Sequence, residues 1–135
     1  METLFSKIIS GEIPSYKVAE DKYCFALLDI QPTTKGHVLC VPKVAIDKFF
    51  DLPEATYIQL MSFSRKVALA IRKTIPCKRV ALSVIGLEVP HAHVHLIPLQ
   101  SLEDATFQKR IKLDPETMEE TAKAIAAHFQ ADEVL

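Results

Sequence analysis

Histidine alternates with apolar residues in the stretch HAHVHLIP, residues 91–98. Successive side chains of a β-strand point to opposite faces of a sheet. The pattern therefore predicts a strand with His91, His93 and His95 on one face and apolar side chains on the other. The apolar face can be buried against a helix while the three imidazoles form a row on the opposite face. The chain is expected to build a sheet that carries this histidine row.

Similar patterns divide the rest of the chain into strands and helices. The runs YCFALLDI and HVLCVP flank the turn sequence QPTTKG and predict an antiparallel hairpin, while RVALSVIG and HAHVHLIPL predict two more strands. A short helix is expected after Thr3. A long helix is expected from a cap at Asp51 to a stop at Pro76, and a last helix after a cap at Asp114. This order predicts an α+β fold on an antiparallel sheet, as one domain over residues 1–135.

Composition and charge place the chain among ordinary globular proteins. Apolar residues make up 49% of its 135 residues and charged residues 24%, which excludes a disordered or collagen-like chain and gives no reason to expect a membrane association. The formal net charge of −1 lacks the basic excess of a polynucleotide-binding protein, so no polynucleotide partner is expected. Residues 101–135 carry four basic and eight acidic side chains, a balance of −4. That acidity argues against a phosphate-binding role for this stretch.

The cysteines point to a reducing compartment. Cys24, Cys40 and Cys77 are odd in number and widely spaced, and no secretory apolar region begins the chain. A cytoplasmic location is therefore expected. Cys24 and Cys40 lie within apolar runs, where a thiol usually acts as a small hydrophobic side chain.

Two kinds of chemistry suit the histidine row. His-x-His pairs can chelate zinc, but three consecutive outward positions of one strand span too far for one ion, and no acidic or cysteine partner lies close in sequence. The alternative is work on a phosphate ester, with one imidazole as nucleophile and the others as proton donors and orienting groups. Histidine suits this chemistry because its pKa lies near neutrality.

The full run His91-Ala-His93-Val-His95-Leu-Ile resembles the alternating histidine motif that names the histidine triad (HIT) family. The segments LFSKIISGEIPSYKVAED, ALLDIQP and KGHVLCVPK resemble the Hint branch of that family independently, and in the expected order. The resemblance covers a core of roughly residues 3–100. Residues 101–135 form an acidic, helical C-terminal extension outside it.

The resemblance implies a specific architecture. The expected HIT-like fold is a five-stranded antiparallel sheet with a long helix packed on it, plus short N-terminal and C-terminal helices. The family is normally homodimeric, with the long helix and a strand of each subunit pairing across the interface. A homodimer is therefore expected for this chain.

The resemblance also implies a reaction and four catalytic histidines. The expected activity is hydrolysis of purine nucleoside phosphoramidates, or related nucleotidyl derivatives, at the α-phosphate. His93 would attack phosphorus and form a nucleotidyl-histidine intermediate. His95 would contact the phosphate and help to protonate the leaving group, and His91 would orient the nucleophile through its backbone carbonyl. His37 would stand beside the row, and His128 is expected at the surface.

Nucleotide binding would fall to residues around the first helix and the first hairpin. Asp29 matches the family's ribose-binding acid, since its two oxygens can accept from vicinal hydroxyls. A turn residue at the end of a strand is the alternative role for Asp29. Four apolar residues match the base-binding clamp, with plain core packing as their alternative: Phe5, Ile8, Leu27 and Ile30.

The segment LSVIGLEVPH before the triad departs from the family pattern. Ser83 stands near the usual Asn, Leu87 at a Gln position and Glu88 at a Ser or Thr position, so two side-chain donors to the phosphate are missing. Backbone N–H groups after Gly86 could still bind a phosphate. Lys35 and Lys43, near His37, could offset the charge of Glu88, although solvated surface is the favoured role for both.

No metal or cofactor is expected, because LFSKI has no cysteine at the position where other branches place a zinc ligand, and the family chemistry needs none. The departures at residues 87 and 88 leave two alternatives open. One is a slow or inactive nucleotide-binding regulatory module of the same fold. The other is a dinucleoside polyphosphate hydrolase.

Overall fold

A five-stranded antiparallel sheet forms the centre of the protein, as seen in a computed structural model that describes residues 2–129. Its spatial order is β1-β2-β3-β5-β4, so β1 and β4 are the edges. The strands are β1 (Lys17–Glu20), β2 (Cys24–Leu28), β3 (Val38–Pro42), β4 (Arg79–Ser83) and β5 (Val94–Leu99). The helices are α1 (Leu4–Ile9), α2 (Glu54–Thr74) and α3 (Pro115–His128), with short 3-10 turns at Phe49–Asp51 and Leu102–Ala105. The expected α+β fold, with both predicted hairpin pairings, is confirmed.

The two faces of the sheet are covered by different elements. Alternate residues of β2, β3 and β5 pack with α2 and α3 into the larger core, and we call this side the helix face. The other set, which includes Phe25, Leu27 and Leu39, packs with Phe5 and Ile8 of α1. We call this second side the site face. Because both faces are covered, β2 and β3 are buried at every position and read as continuous apolar runs.

The helix ends follow their capping residues, with one difference from prediction. Thr3 caps α1 through a reciprocal pair of contacts with Ser6, and the Asp114 side chain accepts from Thr117 N–H at the start of α3. The predicted cap of the long helix is wrong. Asp51 closes a separate 3-10 turn, and α2 begins at Glu54 after Pro53, without a side-chain cap.

The histidine strand begins later than predicted. β5 starts at Val94, so only His95 of the three histidines lies within the sheet, while His91 and His93 belong to the extended chain that leads into it. The backbone there is held by other partners, since Ala92 N–H donates to Ile46 O over 2.7 Å. The three rings therefore do not form one uniform row.

The C-terminal extension packs on its own subunit. Met118, Ala122 and Ile125 of α3 are buried in the larger core. Residues 106–113, between the second 3-10 turn and α3, cross the site face, and we call them the crossing segment. Its Ile111 N–H donates to Pro32 O over 2.8 Å. Within the described residues, no helix is long and apolar enough to span a membrane.

Candidate active site

A cleft of about 480 Å³ opens on the site face and lies within the size range of small-molecule sites. α1, the end of β2, the loop before the histidines and the crossing segment form its walls. Its floor is apolar and its charged groups are few. The residues that carry its polar chemistry are Asp29, Glu88, His93, His95 and Arg110.

His93 is oriented by the backbone of its own segment. Its Nδ1 lies 2.7 Å from the carbonyl oxygen of His91. A carbonyl can only accept, so Nδ1 carries the proton and donates, and Nε2 keeps a lone pair. The ring is 5% exposed and stands edge-on to Phe5, with centroids 5.1 Å apart. The free nitrogen of His93 is therefore held in one orientation at the wall of the cleft.

His91 does not line the cleft, and both nitrogens of its ring are engaged by residues outside the cleft. Its Nε2 donates to Pro42 O over 2.8 Å, and its Nδ1 accepts from the Thr3 hydroxyl over 2.7 Å. The ring is fully buried. Thr3 therefore has two tasks, because the same oxygen that caps α1 also fixes His91.

His37 and His95 form a hydrogen-bonded chain with one direction. Thr33 N–H donates to Nδ1 of His37 over 3.1 Å, so the proton of that ring sits on Nε2. His37 Nε2 lies 3.0 Å from His95 Nδ1, which must accept. His95 then carries its own proton on Nε2, the nitrogen left for the cleft. The backbone N–H of Thr33 thus sets the tautomer of His95 through the ring of His37. We call this series of hydrogen bonds the tautomer chain.

Burial keeps these rings neutral. The pKa of His37 is lowered to about 3, mainly by burial and further by His95 and Arg110. The pKa of His95 is lowered to about 4, mainly by burial, with smaller effects from His93 and Arg110. Burial also lowers the pKa of His91. At neutral pH all three present neutral imidazoles, as the tautomer chain requires.

Asp29 stands at the end of β2, facing His37 and the crossing segment. One oxygen accepts from Gln31 N–H over 2.8 Å, in the manner of an Asx turn. The other lies 3.6 Å from His37 Nε2 and 3.6 Å from Arg110 Nη1. Burial raises the pKa of Asp29 against the lowering effects of its Gln31 contact and Arg110. Asp29 is thus both a turn residue and a carboxylate at the cleft.

Three of the four predicted base-clamp residues form the apolar floor. Phe5, Ile8 and Leu27 line the cleft and are also buried in the smaller core. Core packing, the alternative role for these residues, is therefore confirmed, and base binding stays a prediction. Ile30 lies on the rim and is 75% exposed, so it can contact a ligand without being needed for core packing.

The loop before the triad supplies the most exposed part of the rim. Leu87 is 89% exposed, and the Glu88 side chain is 81% exposed. Ser83 lies in β4 opposite His95 in the strand register and is not among the lining residues.

The expectation that Lys35 and Lys43 offset Glu88 is wrong. Lys43 pairs with Glu20 over 2.7 Å, and Lys35 lies beside Thr74 and Glu120 in a separate hollow. The cation nearest Glu88 is instead Arg110, with Nη2 3.8 Å from Oε1.

Among the residues of the cleft that sequence reasoning missed, Phe107 and Arg110 contact its histidines or its acidic side chains. The Phe107 ring meets His95 at a centroid distance of 4.8 Å and His37 at 6.1 Å. Arg110 donates to Gln31 O over 2.6 Å and lies over the Phe107 ring. The net acidity of residues 101–135 had argued against this placement. The basic run KRIK, residues 109–112, is the local signal that could have marked Arg110, and the net acidity of the whole stretch hides it.

The donor set also bears on metal binding. Within residues 2–129, Asp29, His37 and His95 offer the one group of ligand atoms that lie within 4.8 Å of one another. Two imidazoles and a carboxylate are a zinc-like set. However, an ion would need lone pairs on both His37 Nε2 and His95 Nδ1, which now share a proton, and it would lie beside the positive charge of Arg110. The arrangement favours a chain of neutral hydrogen-bonded rings over a cation.

Known proteins resemble this chain in sequence and in fold. The family model for the HIT domain matches residues 10–102. The adenosine 5'-monophosphoramidase HNT1 of Saccharomyces cerevisiae is 41% identical over 96 residues, which are 70% of this chain and 61% of that protein. The match thus spans less than two thirds of the yeast protein.

Solved structures show the same likeness. A Hit-like protein from Bartonella henselae superposes with a TM-score of 0.83 and 29% identity, covering 95% of this chain and 96% of that one. A zinc-bound histidine triad family protein from Mycobacterium smegmatis superposes with a TM-score of 0.80 and 26% identity, covering 95% and 93%.

Proposed function

The chain belongs to the histidine triad family, and from this premise we propose that it is a nucleotide-binding hydrolase. Its substrates are purine nucleoside phosphoramidates or related nucleotidyl derivatives, cleaved at the α-phosphate. The yeast relative is an adenosine 5'-monophosphoramidase, which supports this substrate class. The observation that carries the proposal is the free Nε2 of His93 beside a neutral His95 in a nucleotide-sized cleft.

The tautomer of His93 supports its role as nucleophile. With Nδ1–H held by His91 O, the Nε2 lone pair attacks phosphorus and forms a P–N bond to the enzyme. The positive charge that develops on the ring is stabilised by the same carbonyl, at 2.7 Å. No rearrangement of the ring is needed before attack.

The tautomer of His95 supports a role at the leaving group. Its Nε2–H donates toward the phosphate or the departing nitrogen, and it helps a proton reach that nitrogen as the substrate P–N bond breaks. Water then attacks the same phosphorus and breaks its bond to Nε2 of His93, which leaves as the neutral ring, and the proton that water loses replaces the one given to the departing nitrogen. The two steps together release a nucleoside monophosphate and an amine.

The rest of the cleft supports nucleotide recognition. The second oxygen of Asp29 can accept from ribose hydroxyls, and the floor of Phe5, Ile8 and Leu27 offers an apolar surface to a purine. A planar base can also lie against the exposed side chain of Ile30.

The test is hydrolysis of adenosine and guanosine phosphoramidate esters by the wild type and by His93→Ala, each with EDTA. We expect wild-type turnover that EDTA does not change, and a loss of at least about 10³-fold in kcat for His93→Ala. A chelator-sensitive activity would favour the group of Asp29, His37 and His95 as a metal site.

The alternatives separate in the same assay. A regulatory module would bind AMP equally well with and without His93 and show no turnover in either protein. A dinucleoside polyphosphate hydrolase would prefer a dinucleotide substrate over the phosphoramidates. We retain the phosphoramidate hydrolase because His93 has a free Nε2 for attack and His95 carries its proton on Nε2 for donation.

We also propose a homodimer that pairs β4 and α2 of two subunits. β4 is an edge strand, and its Leu82 is 47% exposed on the helix face, while Ile58 of α2 is 55% exposed. Apolar side chains exposed on adjacent elements are typical of an interface. Sedimentation should show a dimer that Leu82→Lys converts to a monomer, with Leu102→Lys as the control.

The proposed compartment is the cytoplasm, which the free thiols of Cys24, Cys40 and Cys77 support.

A further inference from the structure

The crossing segment closes one side of the cleft and is tied to the residues that follow Asp29. Ile111 N–H donates to Pro32 O over 2.8 Å, and Arg110 Nη1 donates to Gln31 O over 2.6 Å. Phe107 has a φ of 62°, in the left-handed region that a phenylalanine rarely adopts. This turn places its ring against His95. The segment is therefore held over the histidines by specific contacts.

Arg110 is the one cationic side chain among the described residues that line the cleft. The lining also holds two carboxylates, Asp29 and Glu88, and the imidazoles of His93 and His95. The carboxylates give such a cleft more negative than positive charge. They would repel a phosphate unless a cationic side chain contacts it directly. Arg110 is close enough to His37 and His95 to contribute to lowering the pKa of both.

The geometry of Arg110 leaves one edge of its guanidinium available. Nη1 is engaged by Gln31 O, and the plane lies over the Phe107 ring, so the side chain is held in place. Nη2 lies 3.8 Å from Oε1 of Glu88, while an Asp29 oxygen stands on the Nη1 side, at 3.6 Å. Glu88 is 81% exposed and can move into solvent, and an exposed ion pair of this length contributes little. A phosphate bound through a forked guanidinium contact is a stronger partner.

We propose that Arg110 is a phosphate-binding residue of this site, and that the substrate phosphate displaces Glu88 from its guanidinium. The C-terminal extension would thereby supply a donor that the loop residues Leu87 and Glu88 do not. Arg110 would also bind product AMP through the same oxygens. This inference rests on the proposed function, because it takes the ligand of the cleft to be a nucleotide.

The test compares AMP with adenosine, two ligands that differ only in the phosphate. Calorimetric Kd values are measured for the wild type, Arg110→Gln, Arg110→Lys and Glu88→Gln. Lys112→Gln is the matched control, because it removes one positive charge from an exposed position of the same segment outside the cleft. Folding is checked by circular dichroism.

We expect Arg110→Gln to weaken AMP binding by about 10- to 100-fold while adenosine binding stays within about 2-fold. Arg110→Lys should recover part of the loss, Glu88→Gln should tighten AMP binding by a few-fold, and Lys112→Gln should resemble the wild type. Equal weakening of AMP and adenosine would overturn the inference, since Arg110 would then act only as a tether. Unchanged AMP binding in Arg110→Gln would overturn it as well.

Failure of the proposed function gives a different result. A wild type that binds AMP more tightly than adenosine, through Arg110, but turns over no phosphoramidate would contradict the hydrolase and support the phosphate site. A wild type that binds AMP no more tightly than adenosine has no phosphate site, and the role of Arg110 would be wrong whatever the turnover.

Discussion

The two sides of the cleft differ in how firmly their side chains are held. On the histidine side, His37, His91, His93 and His95 are each at most 7% exposed, and the hydrogen bonds among them end on backbone groups or on Thr3. On the rim, Ile30, Leu87 and Glu88 are mostly exposed and have few partners. The reactive groups are therefore preorganised, whereas the side chains of the binding rim can adjust to a ligand. Changes on the two sides should therefore have effects of different size.

After the loss of the His93 nucleophile itself, the largest effect should come from breaking the tautomer chain at His37. His37→Phe keeps a buried aromatic ring but removes the Nε2–H that sets the tautomer of His95. We expect kcat for a phosphoramidate to fall by about 100-fold, the range found for loss of one positioned donor. Steady-state kinetics and ¹⁵N NMR of the His95 ring would measure it.

His128→Phe is the control for this change, because His128 lies exposed at the end of α3. It should leave both kcat and the His95 spectrum unchanged. A His37→Phe enzyme with wild-type kcat would show that His95 needs no fixed tautomer, and the histidine side would then be no more preorganised than the rim.

The pH dependence of stability should be the next largest effect. The pKa values of His37 and His95 in the folded protein, about 3 and about 4, lie below the ordinary 6.5. Below about pH 6.5 the unfolded chain therefore takes up protons that the folded protein does not. Stability from these rings is fully present above that pH and is lost as the pH falls toward 4. Each ring should lower the free energy of unfolding by about 2 kcal/mol between pH 7 and pH 5.

Urea unfolding of the wild type and His37→Phe at pH 7, 6 and 5 would measure this loss. The wild type should lose about 2 kcal/mol more than the variant over that range, because the variant lacks one of the titrating rings. Parallel curves for the two proteins would mean that His37 is protonated as readily when folded as when unfolded.

The smallest effect should come from the rim. Leu87→Gln places an amide donor at a side chain that is 89% exposed. Because the rim is adaptable, we expect kcat/KM to rise by no more than about 5-fold, which is roughly 1 kcal/mol, with an unchanged Tm. Leu102→Gln, at another exposed leucine outside the cleft, is the control. A change of 100-fold or more would place Leu87 among the preorganised groups.

Much of the fold and of the histidine chemistry could be predicted, because both depend on local patterns. The continuous apolar runs of β2 and β3 reflect two buried faces of one sheet, and Thr3 and Asp114 cap helices within three residues of themselves. The start of β5 could not be predicted. His91 and His93 continue the alternation, although Ala92 N–H between them donates to Ile46 O and the His91 ring is held by Pro42 and Thr3.

The sheet, the helices and the histidine triad could be predicted from the amino-acid sequence alone, since periodicity and capping act over a few residues. The tautomers of the histidine rings and the closure of the cleft depend on contacts that form only in the folded chain. His37 meets His95 across 58 positions, and Arg110 meets Gln31 across 79. Such contacts leave no trace in the local pattern, because they are selected by the burial and hydrogen bonding of the packed chain.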